Sequence, residues 1–578
     1  MRLRHLLLLL GLTVCTLGAN AQGWNADLGN GKYKNPILHV DYSDPDVCAG
    51  EDGYYMTASS FNSSPGLPIL HSKDLVNWEL IGYALQNQVP VEHYRAVRHG
   101  DGVWAPSIRY HNGEYYIYWG DPDFGIYMVK TKNPAGIWDE PVLVKGGKGY
   151  IDTCPFWDQD GKAYLSYAFA GSRANVKTVL MLSELAPDGT KLIGNPAMVF
   201  DGHNGHTTVE GSKMYKRDGY YWVMAPAGGV KPGWQLAMRS KNVWGPYESK
   251  IVLHQGDTSM NGPHQGGYIE TPNGDGWFIH FQDRWAFGRI VNLQPVTWKG
   301  GWPIMGTDKN KDGIGEPVAE WTKPNVGKNY PATPLVSSDE FNGHRYGLQW
   351  QWQANQNPSE QWGWLSANLG FMRLNCIPRQ ENMKTMWNMP NLLLQKFPGD
   401  NFTATAKLTF ENNPDAKECG TGLIVFGEDY AYIAIEQDAA GKLKLVQRLL
   451  KDARTSKDLE TEIASVAIDQ KNIYFRTQVE MLQNTEPFDG KVTFYYSTDG
   501  KTFKAFGKTF TPRAGRWVGA KIGLFATGTK AINDSSYADY DWFRVESDNE
   551  VKKTALSTNL REQKAINNKA KTNLTAGK

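Results

Sequence analysis

The sequence predicts an all-β chain of two large domains, a five-bladed β-propeller over residues 30–324 and a β-sandwich over residues 337–548, joined by a linker at 325–336. Three observations predict it. At 578 residues the chain exceeds what a single core serves. Aromatics make up 12% of it and Gly numbers 60, a composition that suits many glycine-punctuated aromatic strands. The first 330 residues repeat one turn motif five times, and the later part carries short runs of alternating apolar and polar residues.

The N-terminus reads as a signal peptide over 1–21. Arg2, Arg4 and His5 precede the apolar run Leu6 to Leu12, and Ala19-Asn20-Ala21 has the small-x-small cleavage pattern. Val14 fits poorly before a lipidated cysteine at Cys15, so a soluble secreted or periplasmic product is expected. No later stretch has the length of a membrane-spanning helix. The formal net charge of +1 falls to about −1 once Arg2 and Arg4 are removed, which argues against nucleic acid or an anionic membrane as partner and favours a neutral substrate. Cys48, Cys154, Cys376 and Cys419 are too few for a disulfide framework and lack CxxC spacing; buried thiols are favoured over a single disulfide.

The five repeats are marked by Asp52-Gly53, Asn112-Gly113, Asp160-Gly161, Asp218-Gly219 and Asn273-Gly274, each followed by a strand-like run. Asx-Gly supplies the positive φ that tight hairpins need. The spacing is slightly longer than the roughly 40–50 residues of one four-stranded blade. Eight residues before each Asx stand Asp44, Trp104, Asp152, Glu210 and, beside His264, Gln265. Equivalent places on repeated innermost strands converge at one mouth of a propeller. Three carboxylates and a Trp there exceed what a structural repeat needs, although Asp before Pro is also common turn chemistry.

In order along the chain, these residues sit in motifs that resemble glycoside hydrolase family 43, the inverting β-xylosidases and α-L-arabinofuranosidases. The motifs are Asn35-Pro36-Ile37-Leu38 leading to Asp44-Pro45-Asp46, then Ser59-Ser60-Phe61, Pro65-Gly66-Leu67-Pro68-Ile69 and His71-Ser72-Lys73-Asp74-Leu75-Val76-Asn77-Trp78. They continue through Trp104-Ala105-Pro106-Ser107-Ile108, Asp152, Val209-Glu210-Gly211, His264-Gln265-Gly266-Gly267 and Gly288-Arg289 to Leu293-Gln294-Pro295-Val296-Thr297-Trp298. Asp46 departs from the Ser common after Asp-Pro and adds a second carboxylate near the first.

The resemblance implies an exo-acting hydrolase of α-L-arabinofuranosyl or β-D-xylosyl ends of plant cell-wall polysaccharides such as xylan. Asp44 would be the general base and Glu210 the general acid, an inverting pair needing about 6.5–9.5 Å between them. Asp152 would hold Glu210 protonated by its own negative charge. Arg289 would hold sugar hydroxyls and keep Asp44 ionised, and Phe61 and Trp104 would wall the sugar. His264 is open between an axial-ion ligand, a water bridge and a structural histidine. No cofactor is required for the chemistry. Two rivals stand beside this reading. A family-32-like fructosidase would open with Trp-x-Asn-Asp-Pro where this chain has Asp41-Tyr42-Ser43-Asp44. The other is a catalytically silent sugar-binding propeller.

Asp308, Asn310, Asp312 and Gly313 mimic an EF-hand start, but Ala319 stands where the bidentate Glu belongs, so a polar hairpin in the last blade is expected. Beyond the linker, Phe402 to Phe410, Tyr430 to Ile435 and Lys491 to Tyr496 read as half-buried antiparallel strands. This part resembles the concanavalin A-like jelly roll appended to family-43 β-xylosidases. By that resemblance Asp339 and Asp541 would bind a structural calcium, with plain surface acids as the alternative. Residues 549–578 are polar, Lys-rich and free of aromatics, and read as a disordered tail.

Overall fold

The structure, a computed structural model, describes residues 24–547 except 357–360, 366–369, 417, 484, 485, 530 and 531. The expected leader and C-terminal tail lie outside the described residues.

Five four-stranded antiparallel sheets, each with its strands in chain order, occupy 46–85, 104–146, 150–201, 213–253 and 264–305. Their innermost strands are β1 (Asp46–Gly50), β2 (Trp104–His111), β3 (Tyr150–Trp157), β4 (Lys213–Arg217) and β5 (His264–Glu270). All five Asx-Gly turns close the hairpin between the innermost strand and the next, as the turn chemistry predicts. The ring is closed by the N-terminal segment, which lies against β6 (Arg289–Lys299), the third strand of blade 5. Tyr33 OH donates to the Leu293 carbonyl at 2.8 Å, Asn35 bonds both backbone groups of Leu293, and Leu38 pairs with Val291.

The C-terminal part is two seven-stranded antiparallel sheets around a core that includes Phe402, Leu408, Leu423, Ile433, Phe475, Phe494 and Phe543. Along Phe402 to Phe410 every second residue enters this core, which is the period expected of a half-buried strand. Tyr430–Gln437 departs from that expectation and is buried on both faces. Its outward Tyr430, Tyr432 and Ala434 are covered by Met383, Met386, Trp387 and Met389.

The sandwich docks on the mouth side of the propeller. Phe287 and Ala286, in the turn that leads into β6, are buried in the sandwich core, with Phe287 5.9 Å from Phe397. His99 stacks on Trp387 at 3.6 Å, and Ser64 pairs with Trp352 in a short β-bridge. The EF-hand mimic is a polar hairpin, with Thr307 and Glu316 exchanging backbone hydrogen bonds and no helix on either side. Among the described residues no helix is long and apolar enough to cross a membrane.

Truncation after Pro324 bares Phe287, whose burial alone is worth about 1.5–3 kcal/mol, together with the polar groups of the seam. We expect the isolated propeller to be insoluble or nearly inactive, read by soluble yield and by turnover per folded molecule. A soluble, fully active truncation would make the sandwich an accessory module.

Candidate active site at the propeller mouth

Each innermost strand begins with a β-bulge. In blade 1, Ser59 N–H donates to the Ser43 carbonyl and the next pair is Asp46 with Thr57, so Asp44 and Pro45 together face Ala58. Ala105 and Pro106 likewise face Trp119, Asp152 and Thr153 face Tyr167, and Gln265 is the extra residue in blade 5. In blade 4, Glu210 N–H donates to the Pro226 carbonyl before Lys213 pairs with Met224. The first bulge residue is left-handed in all five blades: Asp44 (φ 54), Ala105 (φ 35), Asp152 (φ 60), Gly211 (φ 62) and Gln265 (φ 47). Four of these carry a side chain, each costing roughly 1–2 kcal/mol in this conformation. Strain of this kind persists where the surrounding ladder over-determines it, and functional sites are where it collects.

This marker refines the repeat. The common offset of eight put Asp44, Trp104, Asp152, Glu210 and Gln265 in one register. By the left-handed residue, the equivalent set is Asp44, Ala105, Asp152, Gly211 and Gln265, because blades 2 and 4 have one residue fewer between bulge and turn. Trp104 and Glu210 therefore stand one residue before the bulge, as His264 does in blade 5.

In blades 2, 4 and 5 the exposed edge N–H groups of the innermost strands are bonded by side chains of the preceding blade. Ser59 Oγ accepts from Ala105 N–H (2.7 Å), Asp46 Oδ2 from Ile108 N–H (2.9 Å) and Asp152 Oδ2 from Gly211 N–H (2.8 Å). Cys154 Sγ accepts from Met214 N–H (3.5 Å) and Tyr215 OH from Tyr268 N–H (2.8 Å). Asp46 is fully buried and also paired with Arg109, so it belongs to this lower layer and Asp44 alone serves the mouth from blade 1.

Asp44 Oδ2 accepts from Ser43 Oγ (2.7 Å) and Ser59 Oγ (2.6 Å), and Oδ1 lies 3.6 Å from Arg289 Nη1. That Nη1 also donates to Ser43 Oγ at 2.8 Å, so one hydroxyl links arginine to carboxylate. Across the mouth Glu210, with 26% of its side chain exposed, meets the buried Nε2 of His264 at 3.1 Å. Asp152 is 3% exposed; burial first, then Glu210, push its carboxyl up to about 8, with the Lys213 cation acting the other way. The sequence led us to expect a charged Asp152. Here burial and the neighbouring Glu210 carboxylate both favour the neutral form of Asp152.

Phe61 is buried with its ring 6.4 Å from Trp104. The sequence reading missed Trp517, which the sandwich loop carries to within 6.1 Å of Trp104 and 5.7 Å of the Arg289 guanidinium. Its only local signal is a Trp in the turn-rich run Ala514-Gly515-Arg516-Trp517-Val518-Gly519. A cavity of about 530 Å³ opens at the far end of the central channel. Its Lys216 and Arg217 are already paired with Asp158 and Glu270.

Asp339 and Asp541 are occupied by protein donors. Asp339 accepts from Phe341 N–H, Gly347 N–H and Trp350 Nε1, and Asp541 pairs with Lys407. Among the described residues no three His, Cys, Asp or Glu side chains are placed to hold a metal. Cys48, Cys154, Cys376 and Cys419 are all buried free thiols.

A five-bladed mouth carrying three carboxylates, an arginine and aromatic walls, docked to a jelly roll, defines a glycoside hydrolase. Residues 33–303 match the family described as "Glycosyl hydrolases family 43", and residues 338–546 match its "Beta xylosidase C-terminal Concanavalin A-like domain". The chain belongs to glycoside hydrolase family 43. It is 34% identical over 514 residues to a protein of Xylanibacter ruminicola, covering 89% of each. It is 32% identical over 577 residues to the "Beta-xylosidase" of Formosa agariphila, covering 92% of this chain and 93% of that one. It is 28% identical over 561 residues to the "Non-reducing end alpha-L-arabinofuranosidase BoGH43B" of Bacteroides ovatus, covering 93% and 98%. Among solved structures, "Bacteroides ovatus Xyloglucan PUL GH43B" superposes with a TM-score of 0.73 at 26% identity, over 89% of this chain and all of that one.

The raised Asp152 value has a consequence for stability. A carboxyl whose folded pKa lies above its ordinary 3.8 stabilises the fold fully at low pH and loses that contribution as pH rises through about 8. The Asp152→Asn variant, which keeps the Gly211 acceptor, should match the wild-type melting temperature near pH 4 and exceed it increasingly toward pH 8. A gap that is flat with pH would contradict the assignment.

Proposed function

We propose that this family 43 hydrolase releases terminal α-L-arabinofuranosyl or β-D-xylosyl residues with inversion. The observation that carries the reading is the placement of Asp44 and Glu210 on blades 1 and 4 of a single mouth. The names of the Formosa and Bacteroides relatives, a β-xylosidase and an α-L-arabinofuranosidase, support the pentose class.

In this mechanism Asp44 is the base. Two serine hydroxyls donate to it and Arg289 stands beside it, and it takes a proton from a water that attacks the anomeric carbon. The glycosidic C–O bond breaks as Glu210 passes a proton to the leaving oxygen. Glu210 takes the acid role because it is the member of the pair that reaches solvent, while Asp152 is buried. The Arg289 fork binds sugar hydroxyls, Phe61, Trp104 and Trp517 wall the ring, and His264 orients Glu210. No cofactor enters these steps. The family match lends no support to the fructosidase rival, and the complete carboxylate set argues against a silent propeller. We further propose export through the leader at 1–21.

Removal of a general acid costs about 10²–10⁴-fold. The Glu210→Gln variant should lose that much on xylo- or arabino-oligosaccharides and far less on nitrophenyl pentosides, whose leaving group needs little protonation. Paired nitrophenyl arabinofuranoside and xylopyranoside assays of the wild type then rank the two sugars. Equal losses on both substrate types would remove Glu210 from the acid role.

A further inference from the structure

We propose that Asp41 is a positioning residue through which the docked sandwich sets Arg289, and with it the Asp44 base. The inference rests on the pocket reading above and names a residue outside it.

Asp41 is 4% exposed and bonded on both carboxylate oxygens. Oδ1 accepts from the backbone N–H of Arg289 at 2.8 Å, and Oδ2 accepts from the backbone N–H of Gly519 in the sandwich at 2.9 Å. One carboxylate therefore joins the strand that carries the pocket arginine to the loop that carries Trp517. The next residue, Tyr42, donates its N–H to the Arg289 carbonyl at 3.0 Å, so both backbone groups of Arg289 are held by this segment. Ala520 N–H donates to the Ala286 carbonyl at 2.7 Å on the other side of the same turn.

The junction has no room for side chains. A Cβ on Gly288 would lie 2.4 Å from Asp41 Cβ, and a Cβ on Gly519 would lie 2.6 Å from Gly288 Cα. Gly288 also has φ 82, the left-handed region that suits glycine. Three backbone segments thus meet at van der Waals distance, and a displacement of the sandwich loop is passed to residue 288 and on to Arg289.

Charge makes the carboxylate necessary. Lys396 and Lys521 stand directly opposite each other on β7 (Leu392–Lys396) and β8 (Lys521–Thr527), a like-charge pairing that by itself opposes docking. Lys396 Nζ donates to the Asp41 carbonyl, and Lys521 Nζ donates to Ser63 Oγ at 2.8 Å. Burial lowers both lysines, and for both the opposing influence is Asp41. Asp41 thus supplies the countercharge to the lysine pair as well as the two backbone acceptors.

An asparagine at 41 offers one acceptor oxygen for two N–H donors and no charge for the lysines. Gly519→Ala disturbs the same junction from the sandwich side and leaves the propeller sequence intact. In the full-length protein, each of Asp41→Asn and Gly519→Ala should lower kcat/KM on an aryl pentoside about tenfold or more, since small misplacements of positioning groups cost that much. The double variant should lose no more than the worse single, because both break one contact. Amide hydrogen exchange of the peptide containing Arg289 should speed up in Gly519→Ala. That measurement is independent of substrate, so it judges the junction even if the wild type hydrolyses no pentoside, a result that would sink the functional reading alone. Multiplying losses in the double variant, or unchanged exchange at Arg289 in Gly519→Ala, would overturn the proposal. So would a lowered melting temperature with full kcat/KM in the folded variants.

Discussion

A strand that stays in its ladder sends alternate side chains to opposite faces and cannot aim one along the channel at the mouth. In this protein each innermost strand breaks that alternation at its first residues, through a left-handed position held by the ladder on either side. The rest of the site depends on this constraint. It places Asp44 and Asp152 at the left-handed residue itself and Glu210, Trp104 and His264 one position earlier. In blades 2, 4 and 5 edge N–H groups near the break are bonded by side chains of the preceding blade. Strain and function coincide here because the ring offers enough surrounding bonds to hold both.

Electrostatics divides the mouth into two halves. On the blade 1 side, hydroxyl donors and a guanidinium gather around Asp44. On the blade 3 and 4 side, two carboxylates come together, and burial with the Glu210 charge raises the pKa of the buried Asp152 carboxyl. The sandwich completes the arrangement. It encloses Phe287, brings Trp517 over the pocket and reaches the arginine through a buried carboxylate.

Much of this was legible in the sequence where the signal is local. Asx-Gly turns are chosen by backbone conformation within four residues, so all five blade hairpins could be placed, and the motif order led to the carboxylates. The bulges were hidden, because nothing marks Ala105 or Gln265 as left-handed while Gly211 looks like any turn glycine. That concealment is why Glu210 and Asp44 seemed equivalent in register. Asp152 could be named, but the rise of its pKa could not be foreseen, since that depends on how deeply neighbouring blades bury it. Trp517 and the double burial of Tyr430–Gln437 come from packing between segments more than a hundred and about forty residues apart, where no periodicity reaches. The calcium expected at Asp339 and Asp541 came from resemblance, and the carboxylates there are taken by a turn, a tryptophan and a lysine.

The central claim is that Asp44 and Glu210 act across the mouth with a water between base and sugar. Inverting pairs leave that room, whereas retaining pairs stand about 5–5.5 Å apart and the second carboxylate bonds the sugar itself. Proton NMR of the anomeric signals during the first minutes of hydrolysis, before mutarotation, measures the outcome directly. The account predicts a first-formed pentose of the opposite anomeric configuration to the substrate. A product of retained configuration, or a glycosyl group trapped on Asp44, would contradict it.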